Sequence, residues 1–182
     1  RSSNLTMNLN IYRTSWKDRF LSDGVRINGV SGIANYTGVE QVHQGIEFDG
    51  LWRISPLVNL EGMVTLGNYE YGSDVTDPNV TNNSGQSIGS ATLYLDGEKV
   101  GTTAHTTARL NLTVNPSDKF NFNLSLFHAD DIFGTVNTED FQDPEDTTMQ
   151  LPAYELFDFG ASYKLSIGGE DIGSVSYTHL RA

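Results

Sequence analysis

Six stretches of this chain alternate apolar and polar residues with a period of two, and each runs for about ten residues or more. The first, Leu5–Trp16, sets Leu5, Met7, Leu9 and Ile11 on one face and Thr6, Asn8, Asn10, Tyr12 and Thr14 on the other. The same pattern recurs over Val42–Ile54, Val58–Tyr71, Ala104–Asn115, Phe120–Ala129 and Tyr154–Leu165. A period of two specifies strands, because successive side chains of an extended backbone point to opposite faces. Strands in globular proteins average about five or six residues, whereas a tilted strand crossing a bilayer needs about nine to eleven. Asp171–Tyr177 starts a possible seventh strand.

The two faces differ in chemistry. One carries Val42, Ile46, Phe48, Trp52 and Ile54, then Val58, Leu60, Val64 and Leu66, and continues through Leu110, Leu112, Val114, Phe122, Leu124 and Leu126. The other carries His43, Glu47, Asp49, Arg53, Glu61, Thr65, His105, Arg109, Asn111, Asn121, Asn123 and Ser125. An apolar face backed by charges and amides suits a membrane barrel with a wet lumen.

Connections alternate strictly. Short turns lie around Pro56 and at residues 115–119, while Lys17–Val39, Gly72–Thr103 and Asp130–Pro152 are long and polar. Outer-membrane barrels show this asymmetry, with short periplasmic turns and long extracellular loops. The charge follows the same division. Five acids between Glu70 and Glu98 and seven between Asp130 and Asp146 equal the whole net charge of −12, which leaves 11 acids against 11 bases elsewhere. So acidic a chain repels phosphates, which argues against a nucleic-acid partner. No apolar run approaches the ~20 residues of a membrane-spanning helix. With no cysteine, disulfides and thiolate sites are excluded.

Centring the first short turn near residue 57 pairs Ile54 with Leu60, Trp52 with Gly62 and Arg53 with Glu61, the last a lumenal ion pair. The second hairpin pairs Val114 with Phe120, Leu110 with Leu124 and Asn111 with Asn123. Aromatics gather toward the strand ends: Trp16, Tyr69, Tyr71 and Phe127 on the long-loop side, Trp52, Phe120 and Tyr163 on the short-turn side. Aromatic girdles occupy such levels at the lipid headgroups.

Several runs carry a family resemblance. Val42-His43-Gln44-Gly45-Ile46-Glu47-Phe48-Asp49, then Arg53-Ile54-Ser55-Pro56, Leu60-Glu61-Gly62-Met63 and Leu66-Gly67-Asn68-Tyr69, resemble the C-terminal barrel of TonB-dependent outer-membrane receptors. Leu95-Asp96-Gly97-Glu98-Lys99-Val100-Gly101 and Leu151-Pro152-Ala153-Tyr154 follow in the same order, so the resemblance spans roughly Leu5 to Leu165. It implies a share of a barrel of about 22 strands closed by a plug. It also implies import of a scarce nutrient, such as a ferric siderophore, with energy from an inner-membrane complex. The implied partners are outer-membrane lipid, the plug and remaining strands, the TonB energy-coupling protein and a small nutrient ligand. On this reading residues 1–175 are a partial barrel, and the chain is a fragment. Residues 176–182, with His179, are similar to a recurring read-through tail of environmental sequence assemblies and are set apart.

Candidate ligand-contacting residues are Asp74, Asp77, Asp140, Asp143, Glu145 and Asp146 in the long connections and Arg109 on the lumen face, with Asp96 as a further acid. These carboxylates suit a hard cation or the steering of a cationic or metal-bearing ligand. No EF-hand spacing is present, and a solvated loop repelling its own charge is the simpler reading. The inward charges Glu47, Asp49, Arg53, Glu61 and Arg109 line a ligand path or plug contact, or else form an internal ion-pair network. His43 and His105 fit no hydrolase or metal spacing, and no cofactor or enzymatic activity is expected. Two rivals remain: a self-contained structural barrel of eight strands, and a soluble β-sandwich binding module or adhesin.

Overall fold

The computed structural model describes residues 4–167 and 170–181. Ten strands follow in chain order: β1 (Leu5–Ile27), β2 (Val30–Ser55), β3 (Val58–Tyr71), β4 (Val75–Thr81), β5 (Ser87–Leu93), β6 (Ala104–Ser117), β7 (Phe120–Phe133), β8 (Gln150–Leu151), β9 (Tyr154–Ile167) and β10 (Glu170–Arg181). Seven of them, β1, β2, β3, β6, β7, β9 and β10, lie side by side, each antiparallel to its neighbour. They form the expected up-and-down meander, and β10 is the seventh strand. Backbone pairing continues along β9 from Ser176 opposite Ala161 to Arg181 opposite Leu156, so the segment set apart as a tail extends the sheet. Ala182 lies outside the described residues.

The apolar face is bare. Leu9, Ile11, Phe48, Trp52, Leu66, Leu110 and Phe159 are each between 41% and 72% exposed. A sandwich would bury such residues beneath a second sheet. Here one sheet carries them outward, as a barrel wall does toward lipid.

Both hairpins sit two residues away from the expected register. In the first, Trp52 faces Leu60, Arg53 faces Asn59, Leu51 faces Glu61 and Gly50 faces Gly62. The expected Trp52–Gly62 and Arg53–Glu61 pairs therefore do not form. In the second, Val114 faces Phe122, Leu110 faces Leu126 and Asn111 faces Ser125. Irregularities beside each turn, between Arg53 and Ser55 and between Val114 and Ser117, insert residues that simple centring does not count. A shift of two preserves both faces, because only an odd slip inverts a strand.

The outer aromatic girdle is also corrected. Trp16 shares the parity of Asn8 and Tyr12, Tyr69 and Tyr71 that of Glu61, and Phe127 that of Ser125, so all four project from the polar face, Tyr71 against the core of the long connections. At the short-turn end, Phe120 packs its ring 4.6 Å from Tyr163 on the apolar side, as a girdle requires.

The long connections are not structureless. The β1–β2 hairpin runs on past the bilayer-length segment and reverses at Asn28-Gly29, whose φ angles of 50° and 81° suit the left-handed turn that Asn-Gly favours. Gly72–Thr103 contains the β4–β5 hairpin, joined to β2 by pairing of Ile33 with Thr81. Asp130–Pro152 holds a short 3-10 turn at Asp140–Gln142 and β8, which pairs with β7. Their inward side chains make one hydrophobic core of Val25, Ala34, Tyr36, Val39, Val75, Val80, Ala91, Leu93, Leu95 and Phe141. The three connections thereby form a cap over one end of the sheet. It holds nearly all of the fully buried apolar residues, since the wall's own apolar face is left bare.

Candidate functional site

The polar face of the sheet is concave and borders an open cavity of about 810 Å³, lined by residues including Asp49, Arg53, Glu61, Arg109, Asn123 and Asp158. Strand alternation places these side chains on a common surface, and cross-strand amides bond several of the carboxylates. Asn8 donates from Nδ2 to Asp49 at 2.8 Å, Asn10 to Glu47 at 3.0 Å and Asn111 to Glu61 at 3.5 Å. Asn123 donates to Asn111 at 2.6 Å, so those two residues meet diagonally although Asn111 faces Ser125 in register. The expected Arg53–Glu61 ion pair is absent among the described residues; Glu61 takes the Asn111 amide instead. Arg109 lies over the Phe127 ring, 5.9 Å from its centroid. This surface presents two guanidiniums and several carboxylates on an amide ladder, a wet hydrogen-bonding wall.

At the cap end of the wall a row of rings crosses five strands. Trp16 of β1 stacks on His43 of β2 at 5.6 Å, and His43 stacks on Tyr69 of β3 at 4.6 Å. Tyr69 meets His105 of β6 at 4.6 Å, and His105 meets Phe133 of β7 at 5.0 Å. Tyr12 reaches across β2 to place its hydroxyl 2.7 Å from that of Tyr69. Glycine makes this possible: a Cβ on Gly45 would stand 2.6 Å from the Leu66 carbonyl oxygen and 2.8 Å from the Tyr12 hydroxyl. Because the first three rings stack nearly parallel, their faces are used on one another. The row is a brace across the wall, and it accounts for two histidines that sequence spacing left unexplained. His105 also bonds through Nε2 to the Val100 carbonyl at 2.9 Å, tying the brace to the cap.

The candidate acids fall into two groups. Asp74 and Asp77 are tethers within the cap. Asp74 accepts the backbone N–H groups of Leu95 and Asp96 at 2.8 and 2.9 Å. Asp77 is 6% exposed and accepts those of Asn35 and Asn79 at 2.7 and 2.9 Å. Asp140, Asp143, Glu145 and Asp146 are exposed on the third connection, as Asp96 is on the second. Asp143 closes a local turn by accepting the Glu145 N–H at 3.0 Å. No group of three or more His, Asp or Glu among the described residues is placed to hold a metal ion.

Other cap charges are also paired. Glu98 accepts both the N–H and the hydroxyl of Thr148 at 2.7 Å, and Lys99 lies 2.5 Å from Glu70. The Ser15 hydroxyl, with Lys17 and Arg13 nearby, holds the Glu40 carboxyl below its usual range. Burial, reinforced by Asp77 and Asp23, pushes the Tyr36 phenol up to about 12.

A bare apolar outer face, a hydrogen-bonded polar inner face and a cap built from the long connections at one end define a segment of β-barrel wall. The chain belongs to the TonB dependent receptor-like β-barrel family, whose model matches residues 1–176. That family comprises transporters of the bacterial outer membrane and not enzymes. The chain has no match among curated proteins or among solved structures.

Proposed function

We propose that this chain is part of the wall of an outer-membrane receptor that binds a scarce nutrient, such as a ferric siderophore, and imports it with energy passed from the inner membrane through TonB. The observation that carries this reading is the pairing of a lipid-suited outer face with a polar concavity of about 810 Å³ on the other face, in a sheet whose long connections gather into an acidic cap. In this account Arg53, Arg109, Asp49 and Glu61 face a plug supplied by another part of the receptor, and the Asn8 and Asn111 amides hold Asp49 and Glu61 while ligand passes. The exposed acids Asp140, Asp143, Glu145 and Asp146 meet the ligand first and favour one that is cationic or bears a metal. The remaining strands pair with the free edges of β1 and β10, which would otherwise be prone to association.

The test is uptake of radiolabelled iron presented as individual ferric siderophores, in cells with and without the full-length gene. Gene-dependent uptake that stops when TonB is removed supports the reading. Uptake indifferent to both would overturn it. Fractionation should find the protein in the outer membrane.

A further inference from the structure

Three connections separated in sequence share one core, and this bears on how the outer end moves. Val25, Ala34 and Tyr36 come from the first, Val75, Val80, Leu93 and Leu95 from the second, and Phe141 from the third. Polar ties cross the same boundaries. Thr138, 3% exposed, donates to Asp23 at 2.9 Å, the Asn35 N–H donates to Asp77 at 2.7 Å, and the Tyr94 N–H donates to the Phe141 carbonyl at 2.9 Å. Besides the unbroken β1–β2 hairpin and the β7–β8 pairing, backbone bonds at the end of β3 seat the cap on the wall. The Val100 N–H bonds to the Tyr69 carbonyl, the Tyr71 N–H to the Glu98 carbonyl and the Gly72 N–H to the Glu40 carbonyl, at 2.8 to 3.0 Å. Gly101 packs so closely that a Cβ there would stand 2.1 Å from the Gly134 carbonyl oxygen.

We infer that these three connections open and close as one cooperative body, not as separate flaps, so that a ligand touching any of them acts on all three. Packed cores have discrete arrangements and do not deform continuously, and a core assembled from three segments cannot lose one without exposing the others. Local opening in proteins follows such contiguous units. The inference rests on the shared core and does not depend on which nutrient is carried.

Hydrogen exchange followed by mass spectrometry on the full-length protein in detergent tests it, using peptides from residues 20–40, 72–100 and 136–146. Leu93 is fully buried, and Leu93→Ala is expected to raise exchange in all three peptides by a common factor of roughly thirtyfold or more. Faster exchange confined to 72–100 would overturn the proposal. Thr138→Val, which removes a hydrogen bond but little volume, guards against a misfolded variant. It is expected to raise exchange in all three peptides by a smaller factor, and a rise that spares either 20–40 or 72–100 would contradict a single body.

Discussion

The phenolic oxygens of Tyr12 and Tyr69 stand 2.7 Å apart although their strands are separated by a third. The contact exists because Gly45 of β2 faces Gly67 of β3, leaving a floor without side chains on which the Tyr12 hydroxyl lies against Gly45 and the Tyr69 ring against Gly67. Aromatic covering of glycine is a known device for pinning strand register. Two glycines within the family-like runs thus have a mechanical reason to be there. Gly45→Val drives a side chain toward the Leu66 carbonyl and is expected to destabilise the wall by about 3 kcal/mol or more. Tyr12→Phe, which loses one neutral hydrogen bond, should cost about 1 kcal/mol. Urea unfolding of the full-length protein checks the ranking, and equal effects would contradict it.

Tyr36 gives the cap a dependence on alkaline pH. Its ring is fully buried and its hydroxyl has no hydrogen-bond partner among the described residues. The folded phenol titrates near 12, against about 10 when unfolded. Between those values the unfolded cap has released a proton that the folded cap retains, so stability is intact below pH 10 and falls as pH rises toward 12. Tyr36→Phe should remove this decline and, by deleting an unsatisfied buried hydroxyl, stabilise the cap by about 1 kcal/mol at neutral pH. Exchange protection of residues 30–40 across the alkaline range is the readout, and an unchanged slope in the variant would refute the assignment.

The two groups of acids should separate by experiment. Asp77→Ala strands the N–H groups of Asn35 and Asn79 and is expected to cost about 2 kcal/mol, seen as lost protection in the cap. Asp143→Asn with Glu145→Gln should change stability by less than about 0.5 kcal/mol. If those exposed acids steer a cationic ligand, the double substitution slows ligand association at low salt and not at high salt. Loss of stability in the double variant would place them among the tethers instead.

The wall was legible in the sequence because its outer face has no alternative: Leu9, Phe48, Leu66 and Leu110 repeat at every second residue, and any odd slip would put Glu61 or Arg109 among them. Register was legible only to within two residues, since a shift of two leaves every face unchanged while the irregularities near Ile54 and Asn115 alter the count. The cap was hidden for a different reason. Its inward residues include small or polar ones such as Ala34, Ala91 and Asp77, and register shifts between Trp16 and Leu21 break the alternation just where β1 leaves the wall. Asn28-Gly29, flanked by Val25, Ile27 and Val30, was the one local signal of a hairpin there. The roles of Asp74 and Asp77 were beyond sequence patterning, because a carboxylate that caps backbone N–H groups and one that meets a ligand look alike until the folded neighbours are known.

The central claim is that one face of this sheet meets lipid while the other meets water. Leu110 and Asn111 are adjacent on β6 and point to opposite sides, Leu110 being 51% exposed on the apolar face and Asn111 bonded to Asn123 on the polar one. Single cysteines at these two positions, in the full-length protein reconstituted in lipid vesicles, are the most direct probe. Asn111→Cys should react with a membrane-impermeant maleimide and Leu110→Cys only with a lipid-soluble one. Equal labelling of both by the impermeant reagent would contradict a membrane wall.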